Sequence, residues 1–142
     1  MKLDGKSFYA TFNGKPKEVR DYVYGVHTTR GIKNGSDNYP VRSIQDHDYK
    51  LIWNLQFNEP FLSSGSQPKN KLYGSWLRAT NVTPKQAEHA KLYRNRPEFE
   101  LYNIKKDVYE LDNLADDAKL ATVKIKLLSE LKVIFSAFSS RA

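Results

Sequence analysis

Tyr39-Pro40-Val41-Arg42-Ser43-Ile44-Gln45-Asp46-His47-Asp48-Tyr49-Lys50-Leu51-Ile52-Trp53-Asn54-Leu55 reads as two extended runs joined by a polar tripeptide. Val41 and Ile44 are the apolar positions of the first run. The second, Tyr49 to Leu55, is aromatic and branched, as suits a pleated, half-buried surface. Asp46-His47-Asp48 between them has the look of a hairpin turn. Upstream, Asp21-Tyr22-Val23-Tyr24-Gly25-Val26-His27-Thr28-Thr29 is a further strand, separated from Tyr39 by Gly31, Asn34-Gly35 and Ser36-Asp37-Asn38, which is loop chemistry. Three consecutive strands joined in this way favour an antiparallel meander.

Working outward, the stretch to about Arg20 is polar, with Gly5, Gly14 and Pro16, and reads as an irregular lead-in. Pro60 to Asn70 is a surface loop. Leu72 to Ala79 is expected to form a short helix carrying Trp76 inward. Thr83 as N-cap, Pro84 at the first helical position and Glu88 a turn later start a second helix, running to about Tyr93. Glu98-Phe99-Glu100-Leu101-Tyr102-Asn103 alternates with period two, placing Phe99 and Leu101 on one face and the carboxylates on the solvent side. At the C-terminal end, Ala121, Ile125, Leu128, Leu131 or Lys132 and Phe135 recur at helical spacing, broadened by Leu127, Ile134 and Phe138. Asp112 or Asn113 can cap the approach to this helix, and Asp116 and Asp117 suit its positive end. The expected fold is α+β: about four antiparallel strands packed against a long C-terminal helix, with one or two short helices in the connection. The 142 residues form a single domain with no internal repeat.

Composition narrows the function classes. Hydrophobic residues at 39% and aromatics at 13% suit a folded, sheet-containing domain rather than a disordered one. No run approaches the roughly 18 to 20 uncharged apolar residues of a membrane span. Met1 to Lys6 lacks the apolar core of a signal peptide. The absence of cysteine removes disulfides, thiolate metal sites and a cysteine nucleophile from this chain. The net charge of +7 is diffuse, with ten basic and seven acidic residues through position 70, and thirteen and nine after it. Such a balance raises the odds of an anionic partner, nucleic acid or a sulfated sugar. Lys85, Lys91, Arg94 and Arg96 lie near Tyr93 and could track a nucleic-acid backbone. Glu88 and Glu98 interrupt them and no module signature is present, so neither nucleic acid nor membrane is the expected partner.

Self-sufficient chemistry is missing. His27, His47 and His89 have no metal-ligand spacing, and in Asp46-His47-Asp48 successive strand-end residues point to opposite sides. There is neither a phosphate-cradling glycine loop nor a Gly-x-Ser-x-Gly elbow. No catalytic or metal-binding residue is assigned, and Arg42 and Lys50 are expected to pair with acids on neighbouring strands or across a domain interface.

Several segments, taken in order, resemble the C-terminal region of the sulfatases, nearest to the bacterial heparan N-sulfatase (sulfoglucosamine sulfohydrolase) branch. Leu3-Asp4-Gly5-Lys6-Ser7-Phe8 is similar to a family "DG-x-S" segment, and Val23 to Thr29 to the strand that enters the substrate cleft. Tyr39 to Ile44 followed by Tyr49 to Leu55 matches "YP-x-R-x-(V/I) … (Y/F)-(K/R)-L-(I/V)-x-N-L". Glu100-Leu101-Tyr102-Asn103 with Asp107 to Ala115 is similar to "ELYD-x5-P-x-E-x-x-NLA", the most specific of these, although Val108 stands where the family places Pro.

The resemblance implies a sulfatase C-terminal subdomain, 1–142, without the alkaline-phosphatase-like catalytic domain. The parent would be a sulfuric ester or sulfamate hydrolase of sulfated glycans, periplasmic or secreted, engaged in glycosaminoglycan degradation. It would use a formylglycine, made from Cys or Ser in Cys/Ser-x-Pro-x-Arg, and a divalent cation, calcium. Asn38-Tyr39-Pro40-Val41-Arg42 and Ser66-Gln67-Pro68-Lys69-Asn70 imitate that spacing without its chemistry, so the fragment alone is expected to be inactive. What it would lend is a wall of the substrate pocket, through His27, Thr28 and Arg30 at the end of the first strand. A guanidinium at position 30 suits a sulfate or carboxylate, which accepts two parallel hydrogen bonds. The expected partners are the catalytic domain of the same polypeptide and the parent's sulfated glycan. The face that meets the catalytic domain should expose apolar surface, through which the isolated chain could self-associate. A different class of function, a free-standing binding module for an anionic polysaccharide, is supported by the charge and by the abundance of Tyr and Trp.

Overall fold

The computed structural model describes residues 9–12, 14, 20–28, 35–65, 70–79 and 81–139. Its centre is the hairpin of β2 (Val41–Gln45) and β3 (Tyr49–Asn54), in register from Val41↔Asn54 to Gln45↔Lys50. The turn closes on Asp46. Its carboxylate accepts from the amides of Asp48 at 2.9 Å and Tyr49 at 2.7 Å, while its own amide donates to the Tyr49 carbonyl. An aspartate that satisfies its own reversal in this way is a turn residue, not a free ligand. β1 (Val23–His27) and β4 (Phe99–Asn103) add antiparallel on either side, giving the order β1-β2-β3-β4. The four-stranded antiparallel sheet and long C-terminal helix are those expected from the sequence. Among the described residues of the lead-in, Tyr9–Phe12 form a helical turn, α1.

Register sets the two faces. Tyr24, Ile44, Leu51 and Leu101 pair consecutively across the four strands and share one face. On it lies α4 (Ala121–Ser139), whose Leu127 and Leu131 are fully buried against Ile44, Leu51 and Leu101. Each such side chain removed from water contributes about 1.5–3 kcal/mol. The opposite face carries a smaller cluster of Tyr39, Val41 and Phe61, with Ile52 against it.

The expected stripe of α4 holds for Leu127, Leu128, Leu131 and Phe135, which pack inward, but not for its start. Ile125 is 67% exposed and Ala121 is exposed, whereas Leu120 and Val123 pack inward. Each residue step turns a helix by about 100°, so a stripe counted from Ala121 and one counted from Leu120 point to different sides. A short 3-10 turn, Ala118–Leu120, capped by the Asp117 carboxylate on the Lys119 amide, leads directly into α4.

The β3–β4 connection holds α2 (Lys71–Arg78) and α3 (Pro84–Leu92). Asn70 caps α2 by accepting from the amides of Leu72 and Tyr73. Thr83 caps α3 as the sequence implies, completed by the Gln86 side chain accepting from the Thr83 amide, a reciprocal capping box. Trp76 does not point inward. It is 45% exposed, because α2 packs on α3 rather than on the sheet, burying Tyr73 and Gly74 and leaving Trp76 edge-on to Tyr93. No helix among the described residues is long and apolar enough to cross a membrane.

After β4 the chain folds back along its outer edge. The Leu114 amide donates to the Leu101 carbonyl at 2.8 Å, and Asn113 both accepts from the Leu101 amide and donates to the Phe99 carbonyl. Covering an edge strand removes a row of unpaired backbone groups.

Leu131→Ala is expected to cost about 2–5 kcal/mol by chemical denaturation. Ile125→Ala should stay within about 0.5 kcal/mol. A larger loss at Ile125 than at Leu131 would reverse the assigned helix face.

Candidate functional site

His27 closes β1, paired with Val41, and its exposed ring lies edge-on to Phe61 with centroids 5.7 Å apart. Thr28 follows it, also exposed. Arg30 falls outside the described residues. The structure therefore brings His27 and Thr28 together at one end of the sheet, on the rim of the smaller apolar cluster.

Phe61 is the hub of this end. Tyr39 meets it edge-on at 5.2 Å, and the Arg96 guanidinium sits over its ring at 4.3 Å. Pro60 is anchored through its carbonyl, which accepts from the Ser36 hydroxyl, while the Leu62 amide donates back to that same hydroxyl. The loop position of Phe61 is thus fixed by its backbone neighbours. The Tyr39 hydroxyl is buried, which pushes its ionisation above the usual tyrosine range, against the opposing pull of the Arg96 charge.

The same face carries a polar chain that the strand pattern assigns to solvent. Glu100 is only partly exposed. One of its oxygens accepts from Asn54 Nδ2 at 2.7 Å, the other from the Tyr102 hydroxyl at 2.6 Å. Asn54 is fully buried and donates also to the Pro97 carbonyl. Burial first, and then the Glu100 hydrogen bond and charge, push the Tyr102 hydroxyl far above the ordinary tyrosine range. Period two put Glu100 on the correct face, but that face is roofed by Tyr102 and the β3–β4 connection rather than left to water.

Lys50 does find an acid, Glu110, at 2.9 Å to both oxygens. Glu110 has φ of 54°, a left-handed backbone that costs a non-glycine residue roughly 1 kcal/mol or more. Arg42 departs from expectation: its guanidinium donates to the Val41 carbonyl and lies 4.8 Å over the Phe135 ring. It lies on the α4 side of the sheet, paired in register with Trp53. Two open grooves flank α3. One of about 620 Å³ contains Glu88, His89, Tyr102 and Glu110 and is bordered by the Lys85–Asp112 ion pair; the other, of about 450 Å³, contains Trp76, Val82 and Tyr93.

Among the described residues no group of three or more His, Asp or Glu side chains converges to hold a metal ion. In Asp46-His47-Asp48 the Asp46 carboxylate is taken by backbone amides and Asp48 is paired with Lys105. The described residues do not fit a divalent cation site. Sequence reasoning missed Phe61 and placed Arg96 in a basic run. The available signal was the flanking Pro97 and β4, which fix Arg96 at the mouth of a strand.

No family model matches the chain. It is 35% identical over 129 residues to the ulvan-active sulfatase of Formosa agariphila, covering 91% of this chain and 24% of that protein. It is 29% identical over 131 residues to the human N-sulphoglucosamine sulphohydrolase, covering 91% of this chain and 25% of that protein. The chain thus spans about a quarter of the length of the curated relatives it matches. Among solved structures, one from Bacteroides thetaiotaomicron assigned to the sulfatases aligns over 97% of this chain and 20% of its own, with TM-score 0.53 and 21% identity. A 2-O GAG sulfatase aligns over the same shares with TM-score 0.50 and 20% identity. At these identities the two structures speak for the fold alone.

Tyr102→Phe leaves a Glu100 oxygen without its donor and is expected to cost about 1–3 kcal/mol near neutral pH. The raised Tyr102 ionisation contributes stability that is complete below the unfolded value of about 10 and is lost as pH rises toward the folded one. Stability of the Phe variant should therefore fall less steeply than wild type above about pH 10, read from denaturation midpoints across that range. Parallel curves would remove Tyr102 from the alkaline transition.

Proposed function

Because this chain is related over nearly its whole length to a segment of the sulfatases, we propose that it is the C-terminal part of a sulfatase acting on sulfated glycans, and that it supplies one wall of the substrate pocket. The observation that carries this reading is the coverage. Nine-tenths of the chain aligns with only a quarter of each of two sulfatases, one named for ulvan and one for N-sulphoglucosamine. In this reading the nucleophile and the metal belong to the remaining three-quarters, in an alkaline-phosphatase-like catalytic domain. A formylglycine and calcium would supply attack and charge stabilisation there. The described residues of this chain fit neither group, and no step runs through it.

What the chain contributes is position. His27, at the end of an edge strand and braced on Phe61, offers an imidazole N–H to a sugar hydroxyl or to the leaving group. Thr28 and Arg30 continue from it, and Arg30 suits a sulfate or carboxylate oxygen by its paired donors. An edge strand backed by a packed sheet holds such groups more rigidly than a loop does, which is what pocket walls require.

The α2–α3 surface supports the reading from another side. Leu72 is 61%, Trp76 45% and Leu77 50% exposed, three large apolar side chains open on one short helix. The occupant proposed for it is the missing bulk of the same polypeptide. Sedimentation velocity of the isolated chain is then expected to show concentration-dependent self-association, weakened in a Trp76→Ser, Leu77→Ser double variant. A monomer at every concentration would count against that assignment.

The coding sequence upstream of Met1 should be a continuous frame carrying Cys/Ser-x-Pro-x-Arg and an acidic metal-binding cluster; a genuine start site with neither overturns the proposal. In the assembled enzyme, His27→Ala is expected to lower kcat/KM about tenfold or more, the equivalent of roughly 1.4 kcal/mol, with an unchanged unfolding midpoint. Wild-type kinetics in that variant would take His27 out of the pocket wall.

A further inference from the structure

Arg96 combines three properties. Its guanidinium lies 4.3 Å over the Phe61 ring, so its stem and plane are held in place. Among the described residues it has no carboxylate within ion-pair distance; their ion pairs are Lys50–Glu110, Lys85–Asp112 and Lys105–Asp48. It is also only partly buried. Glu100, whose charge opposes that of Arg96 at Tyr39, has its two oxygens engaged by neutral donors, Asn54 and Tyr102. Among the described residues the cation is therefore held on an aromatic face and has no carboxylate partner.

The same ring also meets His27 edge-on, with centroids 5.7 Å apart. Phe61 thus serves as a common brace, holding an imidazole and a guanidinium on one end of the sheet, with Tyr39 packed at 5.2 Å to keep the ring from turning. A planar guanidinium presents a fork of donors that matches an oxyanion, and stacking on an aromatic face preorganises it for that role.

We propose that Arg96 is a second recognition residue at the His27 end of the sheet, contributing donors to an oxyanion carried by a sugar, either a ring sulfate or a uronate carboxylate. This rests on the glycan-facing reading of that end and adds to it a residue that the strand motif does not contain. The bland alternative is that Arg96 only covers Phe61, as long cationic side chains often do.

The two roles separate on substitution. Arg96→Met keeps an unbranched stem on Phe61 and removes the charge; Arg96→Lys keeps the charge and loses the fork. The isotopically labelled chain would be titrated by NMR with a sulfated galactose, with glucuronate and with unmodified galactose. The wild type is expected to favour at least one of the two anionic sugars over galactose by about tenfold or more, as charge-assisted hydrogen bonds confer. Shifts should centre on His27, Phe61 and Arg96. Preference for the sulfated sugar names a sulfate as the ligand group, and preference for glucuronate a carboxylate; either supports the proposal. Arg96→Met should abolish the preference with an unchanged unfolding midpoint, and Arg96→Lys should keep part of it. An undiminished preference in Arg96→Met, shifts confined to other surfaces, or no response to any of the sugars up to about 10 mM, beyond the weak end of specific affinity, overturns the assignment. None of those results bears on whether a nucleophile motif lies upstream, so the sulfatase reading stands or falls separately.

Discussion

The row Tyr24–Ile44–Leu51–Leu101, locked across four strands beneath Leu127 and Leu131, is the contact on which the other arrangements depend. A strand shifted by one residue exchanges its faces. A slip of β3 against its neighbours would put Lys50 and Ile52 under α4 and turn Leu51 out. The apolar row forbids that, and by doing so it also fixes the opposite face. His27 at the rim, the Asn54–Glu100–Tyr102 chain and the Lys50–Glu110 pair all stand where they do because their sequence neighbours are buried on the other side.

Polar side chains close what the apolar row leaves open. Asp46 satisfies the hairpin turn, Asn113 bridges to β4, and Asp107 accepts from the amides of Leu111 and Asp112. These last two residues belong to the segment after β4 whose pattern is most specific in the sequence. Their spacing is that of a chain folded back along a strand edge, where backbone donors must be met by side chains because no further strand arrives. A residue pattern shared with sulfatases thus has a structural cause that is independent of any catalytic role.

The basic balance also acquires a structural account. Lys124 lies over Phe99, Lys126 over Tyr22, Lys132 over Trp53 and Arg42 over Phe135, all along the seam between α4 and the sheet. Cations on aromatic faces seal the edge of a core while keeping their heads in water. Part of the net charge of +7 is therefore architectural. Arg96 differs from these four in standing on the other face, beside the strand end that carries His27.

The local signals were legible wherever one short segment decides its own geometry. The Asp46 turn, the Thr83–Pro84 helix start, the period-two strands and their antiparallel meander follow from residue chemistry within a few positions of each other. The first strand followed in place but not in its bounds, since the run read over Asp21 to Thr29 is a strand over Val23–His27. Four features did not follow: the residues with which the inward stripe of α4 starts, the exposure of Trp76, the partner of Arg42, and the company kept by Glu100 and Arg96. Each depends on which surface arrives opposite, and the apolar stripe of α4 is broad enough to admit two phases. Sequence by itself determined the elements and their order, because hydrogen-bonding and steric preferences act over a single turn or hairpin. Only the tertiary structure decided which side chains share a surface, because that is set by contacts between residues as far apart as Leu51 and Leu131, or Phe61 and Arg96.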